Sequence, residues 1–414
     1  MTLLTLLIFA LSLLILLERL TAVRRIGLLD AVAPLTDVEP PLVSIIIPAL
    51  NEEQHIETAL TSVLALAYPR LEIIVLNDRS TDATPEILER MVRHHPRLRV
   101  VHIRELPLGW LGKNHALHLG AEQARGEFLL FTDADVRLAP DTISRAVARM
   151  QEKSLDHLCL IFQLDLPSPL LAMLAADSLS GLLTVFKPWR TLEPDSRYFF
   201  GAGGFNLVRR SLYMKFGGHY PIRLCPVDDI LLGRLIKASG GRQECLNGRA
   251  FVSVPWYGSV GEMVRGLRKN VFAVLDYRLS GLAVATMLIL CCQILPLWGL
   301  LLTDGWPQLL CGLTLADTAL SLWISIRSLG LNPACLRWFL LTPYLKLYLI
   351  WQGAWAVLNK GGIDWRGTFY PLNELRRHMV PVSPWSRFRR DEEEALHPPQ
   401  MPPGHAQTKR TGIS

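Results

Sequence analysis

The chain has 414 residues, half of them hydrophobic and 19% charged, with a formal net charge of +6 and a mean hydropathy of +0.26. That balance excludes a disordered or wholly polar protein and calls for membrane segments. The basic excess is scattered, with no long basic run and no basic repeat interleaved with aromatics, so it argues against a nucleic-acid partner and suits an anionic membrane surface.

Residues 2–17 are almost uninterruptedly apolar, and Glu18, Arg19, Arg24 and Arg25 follow. Positive charge after the apolar run, not before it, predicts a retained anchor at 1–22 with its C-terminal end in the cytoplasm. The run is short for a span, so a shallow insertion stays open. Beyond a proline-rich linker, 43–48 reads as a buried strand and Asn51–Ala67 as a helix that opens on Glu52 and Glu53. Strands at 71–76, 98–103 and 128–131 then alternate with helices at 84–94 and 115–124. This spacing predicts an α/β, doubly wound, Rossmann-like domain over 40–278, with its ligand at the C-terminal strand ends. The stretch 164–186 is apolar with interruptions at Asp177 and Ser180, open to an interfacial helix or to core packing.

Residues 279–302, 308–326 and, less cleanly, 336–358 are apolar enough to span. If the anchor and all three cross, the charges Lys360, Arg366, Arg376 and Arg377 end outside, against the positive-inside tendency. One stretch of 279–358, most simply 336–358, is therefore expected to be re-entrant or interfacial. A basic juxtamembrane segment and a disordered tail are expected over 359–414, with disorder from His378 onward. The seven cysteines form no Cys-x-x-Cys pair and no zinc spacing, which indicates a reducing compartment. His115 and His118 are open to a metal site or to a plain helix surface.

The fourth strand ends in Asp133-Ala134-Asp135. Two carboxylates one residue apart give a hard cation, Mg²⁺ or Mn²⁺, two oxygen ligands and leave the rest to a substrate diphosphate. The second strand ends in Asn77-Asp78-Arg79-Ser80-Thr81-Asp82, where Asp78 can accept hydrogen bonds from a base or ribose. Pro48, Asn51 and Glu52 at the end of the first strand complete a nucleoside pocket. Lys113, after a glycine turn, either meets the donor or simply opens a helix.

Pro48-Ala49-Leu50-Asn51-Glu52-Glu53, then Leu76 to Asp82, Gly109 to Ala116 and Thr132 to Asp135 together resemble the family 2 glycosyltransferases of GT-A fold. The resemblance covers roughly 40–275. It implies that Asp228-Asp229 is the family's acidic signature with Asp229 as catalytic base, and that Gly203 and Gly204 lie in an acceptor-side loop. Arg265-Gly266-Leu267-Arg268-Lys269 partly matches the (Gln/Arg)-x-x-Arg-Trp motif of ceramide glucosyltransferases and polysaccharide synthases. Lys269 replaces its tryptophan, which puts polymer synthesis in doubt. The stretches 266–273 and 361–370 resemble the subgroup associated with carotenoid and hopanoid pathways.

An inverting transfer needs a base for the acceptor hydroxyl and cations for the departing diphosphate. Asp229 tuned by Asp228, metal on Asp133 and Asp135, and Arg265 or Arg268 as a clamp would meet both needs. Asp228 and Asp229 also suit a plain helix N-terminus, and Arg265 and Arg268 plain juxtamembrane charge. The expected protein is a multi-pass cell-membrane enzyme with its catalytic domain in the cytoplasm, moving a hexose from a nucleotide sugar, UDP-sugar favoured, to a lipid hydroxyl. A polysaccharide synthase, a polyprenyl-phosphate glycosyltransferase and a non-catalytic scaffold are the alternatives.

Overall fold

The computed structural model of the chain describes residues 1–37 and 39–386. Helix α1 (Thr2–Arg25) leads to β1 (Val43–Ala49), α2 (Ile56–Leu64), β2 (Leu71–Asp78), α3 (Thr84–Val92), β3 (Leu98–Ile103), α4 (Gly112–Gln123) and β4 (Phe128–Phe131). The domain continues through β5 (Arg137–Leu138), α5 (Thr142–Glu152), β6 (His157–Ile161), β7 (Gln163–Asp165), α6 (Pro169–Phe186), β8 (Asn206–Arg209) and α7 (Arg210–Lys215). It closes with α8 (Asp228–Ala238), β9 (Gln243–Asn247), β10 (Val252–Pro255) and α9 (Val260–Val274). Helix α10 (Leu279–Ile289) passes through a π-helical turn at Leu290–Ile294 into α11 (Leu295–Leu302). Then come α12 (Trp306–Ser328), α13 (Thr342–Lys360), the hairpin β11 (Gly362–Trp365) and β12 (Thr368–Pro371), and α14 (Leu372–His378).

The main sheet has seven strands in the order β3-β2-β1-β4-β8-β6-β9. The predicted parallel alternation holds from β3 to β4, with Val43 of β1 opposite Leu71 and Phe128. Strand β8 differs, running antiparallel to both β4 and β6. Helices cover both faces, so β1 and β2 bury side chains on each side and read as continuous apolar runs. Ile46, Ile74 and Leu76 pack under α4 with Leu117 and Ala121. Ile45, Ile47, Ile73 and Val75 pack on the other face with Ile56, Leu60 and Leu88. Strand order reverses between β1 and β4, and the crevice at that edge is where an α/β sheet takes its ligand.

The helix expected over Asn51–Ala67 begins only at Ile56. Asn51 has φ +55°, and the N–H groups of Glu52 and Glu53 donate to Thr84 Oγ1 at 2.9 Å and Asp82 Oδ2 at 3.1 Å. Side-chain acceptors across the crevice thus capture the backbone donors that a helix would have used.

Four helical stretches are long and apolar enough to cross a membrane: Thr2–Arg25, Pro169–Arg190, Leu279–Leu302 and Trp306–Ser328. Helix α1, longer than the apolar run suggested, reaches about 36 Å at about 1.5 Å per residue, enough for a hydrocarbon layer of about 30 Å. Helix α6 buries Leu171, Met173, Leu174, Ala175 and Ala176, in line with core packing. Two acids among these helices are partnered. Asp177 of α6 receives Lys346 at 2.6 Å, Thr342 at 2.9 Å and Gln293 at 3.1 Å, and Ser12 donates to Asp317.

Residues 378–386 correct the expected disorder; the expectation for 387–414 lies outside the described residues. Met379, Val380 and Val382 are buried. The Val382 N–H donates to Asp276 Oδ1, and the Arg234 guanidinium donates to the carbonyls of Ser383 at 2.7 Å and Ser386 at 2.6 Å. A cation on α8 satisfies backbone carbonyls that composition alone leaves to water. Arg234→Met keeps the stem and removes these charge-assisted bonds, so it should cost about 1.5–3 kcal/mol. Thermal unfolding of the solubilised protein checks this, and an unchanged transition would show that the segment does not depend on the clamp.

Candidate active site

Two elements bring carboxylates to the crevice. Strand β4 ends at Phe131, so Asp133 and Asp135 stand at its C-terminal end; Asp228 and Asp229 form the first turn of α8, where the helix dipole favours acids. Lys113, in the first turn of α4, joins them. Its Nζ lies 2.9 Å from Asp133 Oδ1 and 3.4 Å from Asp228 Oδ2. Burial alone would lower the Lys113 pKa, but Asp133, Asp228 and Asp229 overcome it and hold the ammonium above the usual lysine range.

The loop between α6 and β8 supplies the third wall. Gly203 N–H donates to Asp229 Oδ2 at 3.0 Å, and Ile230 N–H to Asp229 Oδ1 at 2.8 Å, so the carboxylate is oriented from both sides. A Cβ on Gly203 would stand 2.9 Å from Asp133 Oδ2 and 3.5 Å from Asp229 Oδ2; one on Gly201 would meet the Asp229 carbonyl at 1.9 Å. Gly204 packs against the Phe162 ring, and its carbonyl accepts from Thr132 Oγ1 at 2.8 Å. Gly203, Asp133, Asp228, Asp229 and Lys113 line one cleft.

The charge balance is tight. Burial, then the fields of Asp133 and Glu52, push Asp135 up to about 7. Burial, offset in part by Lys113 and reinforced by Asp229 and Asp133, pushes Asp228 up to about 6. Burial also raises Asp229. Among the described residues no group of three or more His, Cys, Asp or Glu forms a ready-made metal cage. The Asp133 and Asp135 pair, with Glu52 adding to its field, carries negative charge that a divalent cation would neutralise while taking its other ligands from a diphosphate. The residues fit such an ion.

On the donor side, the ends of β1 and β2 are tied together. Asn51 Oδ1 accepts from Thr81 N–H at 2.8 Å, and Asn51 N–H donates to Ser80. Asn51 thus braces the two loops, and Pro48 stands in β1 opposite Leu76. Asp78 is buried, with both oxygens held by Arg79. Arg265 and Arg268 are not bonded to the carboxylates; Arg268 donates to Gln352 of α13 instead. His115 and His118 lie against the Trp110 ring, as helix-surface residues would.

Sequence reasoning missed the C-terminal hairpin. Arg366 at its tip donates to the Leu50 carbonyl at 2.7 Å and pairs with Glu52 at 2.8 Å. Tyr370 is buried in the same hairpin, where the charges of Arg79 and Asp78 act on its phenol. Lys269 sits 3.8 Å from the centroid of the Trp365 ring, and burial, then Arg366 and Lys113, push its pKa down to about 7. An aromatic ring therefore stands at this end of α9 although residue 269 is not aromatic. The signal was present in Trp365-Arg366-Gly367, but nothing local says that this turn folds back onto the first strand.

Residues 44–217 match the family model for glycosyl transferase family 2. A 4,4'-diaponeurosporenoate glycosyltransferase of Staphylococcus haemolyticus is 28% identical over 55% of this chain and 60% of its own length. A putative teichuronic acid biosynthesis glycosyltransferase of Bacillus subtilis is 34% identical over 28% of this chain, and the chain spans only 44% of it. A beta-monoglucosyldiacylglycerol synthase of Nostoc is 32% identical over 27% of this chain and 24% of its own length. Among solved structures, the mannosyltransferase PcManGT of Pyrobaculum calidifontis, in complex with GDP-Man and Mn²⁺, superposes with a TM-score of 0.52. It is 21% identical, covering 86% of this chain and 99% of that one. Asp228 and Asp229 lie just beyond the matched range, returned to the cleft by α8. With the alternating sheet and the strand-end acids in place, residues 44–217 are a glycosyl transferase family 2 domain of GT-A fold.

Proposed function

We propose that the protein is a membrane-bound inverting glycosyltransferase that moves a hexose from a nucleoside diphosphate sugar to the hydroxyl of a lipid. The observation that carries this reading is the Lys113 ammonium, which touches Asp133 on one side and Asp228 on the other. Donor-side and acceptor-side acids thereby meet at one cation, as a single displacement at an anomeric carbon requires.

In this mechanism Asp229, oriented by Gly203 and Ile230, takes the proton of the acceptor hydroxyl as its oxygen attacks. Burial, with the charge of Asp133, keeps the basicity of Asp229 high against the opposing field of Lys113. Asp133 and Asp135 would hold a divalent metal ion, Mg²⁺ or Mn²⁺, which when bound neutralises the leaving diphosphate. Lys113, which contacts Asp133, and Arg366, which pairs with Glu52, bring the chain's own cations to this side of the cleft. The lipid reading is supported by the apolar helices on both sides of the domain, and by Arg24 and Arg25 closing α1, which favour a cytoplasmic face. The similarity to carotenoid and glycolipid glycosyltransferases agrees with that class of acceptor.

Membranes containing the protein, incubated with a panel of radiolabelled nucleotide sugars, should place label in the organic extract, and EDTA should abolish it until Mg²⁺ or Mn²⁺ is restored. Label in polymer would favour a synthase, and no label in any fraction would favour a scaffold. Asp229→Asn should lower turnover by about 10²–10⁴-fold while donor binding persists, because general-base catalysis is worth about that much; retained turnover would remove Asp229 from the base role. The rate should also depend on pH with a definite sign. Burial raises Asp229, Asp228 at about 6 and Asp135 at about 7, so acidification protonates carboxylates that must be charged. Activity should fall as pH drops through about 6, above the usual carboxylate range, whereas a profile flat down to about pH 4 would contradict that assignment.

A further inference from the structure

One buried imidazole beside the acids takes no part in the mechanism above. His219 ends the turn Gly217-Gly218-His219, in which both glycines are left-handed, with φ +80° and +60°. A Cβ on Gly218 would stand 2.6 Å from the Tyr213 ring, so the turn lies close against that phenol. His219 and Tyr213 are each 1% exposed. The imidazole also meets the ring of Phe131, the last residue of β4, edge-on at 5.0 Å between centroids.

The hydrogen bonds assign its proton. Tyr213 Oη accepts the backbone N–H of His219 at 3.2 Å and lies 2.6 Å from His219 Nδ1. A buried hydroxyl proton without an acceptor costs free energy, and Nδ1 is the acceptor that the structure offers it. Nδ1 therefore receives the phenol proton, and the imidazole's own proton sits on Nε2. Burial, then His118 and Lys113, hold the His219 pKa well below the usual histidine range, so the ring is neutral at neutral pH.

With Nδ1 turned to Tyr213, Nε2–H is the polar atom left to face the small cavity that His219 lines together with Lys113, Thr132, Asp133, Asp228 and Asp229. No protein acceptor meets it among the described residues. Asp228, buried in the same wall, has as its one polar contact there the Lys113 Nζ at 3.4 Å from Oδ2. The cavity volume, about 10 Å³, suits one water molecule. We propose that His219 Nε2–H holds a buried water in this cavity and that the water donates to Asp228, which makes His219 a positioning residue for the Lys113–Asp228 contact. The inference rests on the proposed transferase reading and adds a residue to it.

The place of the proton decides what the water can do. Accepting from Nε2–H leaves both its hydrogens for acceptors, one for Asp228 and one for the Thr132 hydroxyl oxygen, three bonds in all, as buried waters commonly make. A bare Nε2 lone pair would take one of those hydrogens instead. A donor so oriented favours the charged form of a buried carboxylate and keeps it turned to its lysine.

Substitutions at 219 separate this role from plain packing. A glutamine amide nitrogen reaches about as far as Nε2, whereas an asparagine amide reaches only as far as Nδ1. In the transfer assay His219→Gln should keep most of the wild-type turnover. His219→Asn and His219→Phe should lower kcat by about tenfold or more, the rate equivalent of one hydrogen bond to a charged group, with the KM for the nucleotide sugar little changed. A purely structural role in holding Tyr213 predicts the reverse order, since asparagine keeps that contact and glutamine gives it up. The reverse order, or equal turnover in all three variants, would overturn the inference. A crystallographic or cryo-electron map of the full chain that resolves ordered water tests the site without any turnover. One water within hydrogen-bond distance of both His219 Nε2 and Asp228 is expected, and a dry cavity would overturn the inference while leaving the proposed function standing. A wild-type chain that transfers no sugar would overturn the proposed function, and the map would still decide the water.

Discussion

The site depends on one buried cation held among acids that repel one another. Asp133, Asp228 and Asp229 all raise the Lys113 pKa, and that ammonium contacts the first two directly. Two unit charges about 4 Å apart interact by about 4 kcal/mol at an effective dielectric of about 20. Without the lysine, the end of β4 and the start of α8 would be driven apart by a substantial fraction of a domain's net stability. The close glycine contacts have the same cause. Gly201 and Gly233 let the loop and α8 approach with backbone against backbone, and Gly203 adds an N–H to the carboxylate where any side chain would fill the cleft. The cluster is thereby compact without being fully neutralised, which leaves it receptive to a further cation and a phosphate-bearing ligand.

Much of this was legible in the sequence because the carrying signals are local. Strand β4 falls where the apolar run places it, since a strand buried on both faces cannot hide its composition. Asp133 and Asp135 were found by their spacing at a strand end, and Asp228 and Asp229 through the family resemblance. What failed to show was whatever depends on a partner far along the chain. The stretch Asn51–His55 has helical composition, but acceptors on Asp82 and Thr84 redirect its N–H groups. The segment 378–386 has the composition of a tail, but Arg234 supplies the donors that order it. Strand β8 looks like any short strand, and its antiparallel direction follows from the long excursion through α6 that precedes it.

The apolar helices are joined to the domain by polar contacts as well as by packing. Arg19 of α1 donates to the Ser180 carbonyl and to Thr184 of α6, and Asp177 on the same helix holds Lys346 of α13. Charges this deeply buried cost more than they return unless each finds a partner, and an arrangement that pairs them fixes how the helices are registered. Helix α13 in turn lies along α9, where Gly353 faces the backbone of Arg268 and Gln352 accepts from its side chain. Since α9 also carries Lys269, the helical layer and the cleft share one rigid element. The position of the apolar helices relative to the acids is thus set by packing within the protein.

The hairpin β11–β12 takes this dependence further. It brings Arg366 to the Leu50 carbonyl and to Glu52, more than three hundred residues away along the chain. It also sets the buried Tyr370 within the fields of Arg79 and Asp78. A pocket whose floor is β1 and β2 and whose roof is the last hairpin cannot be complete in the segment 44–217, which also lacks Asp228, Asp229 and Lys269. The shared domain provides the sheet edge and the Asp133/Asp135 pair. The residues that give the cleft its remaining charge and its aromatic ring come from chain beyond that domain, so any selectivity particular to this protein must be sought there as well.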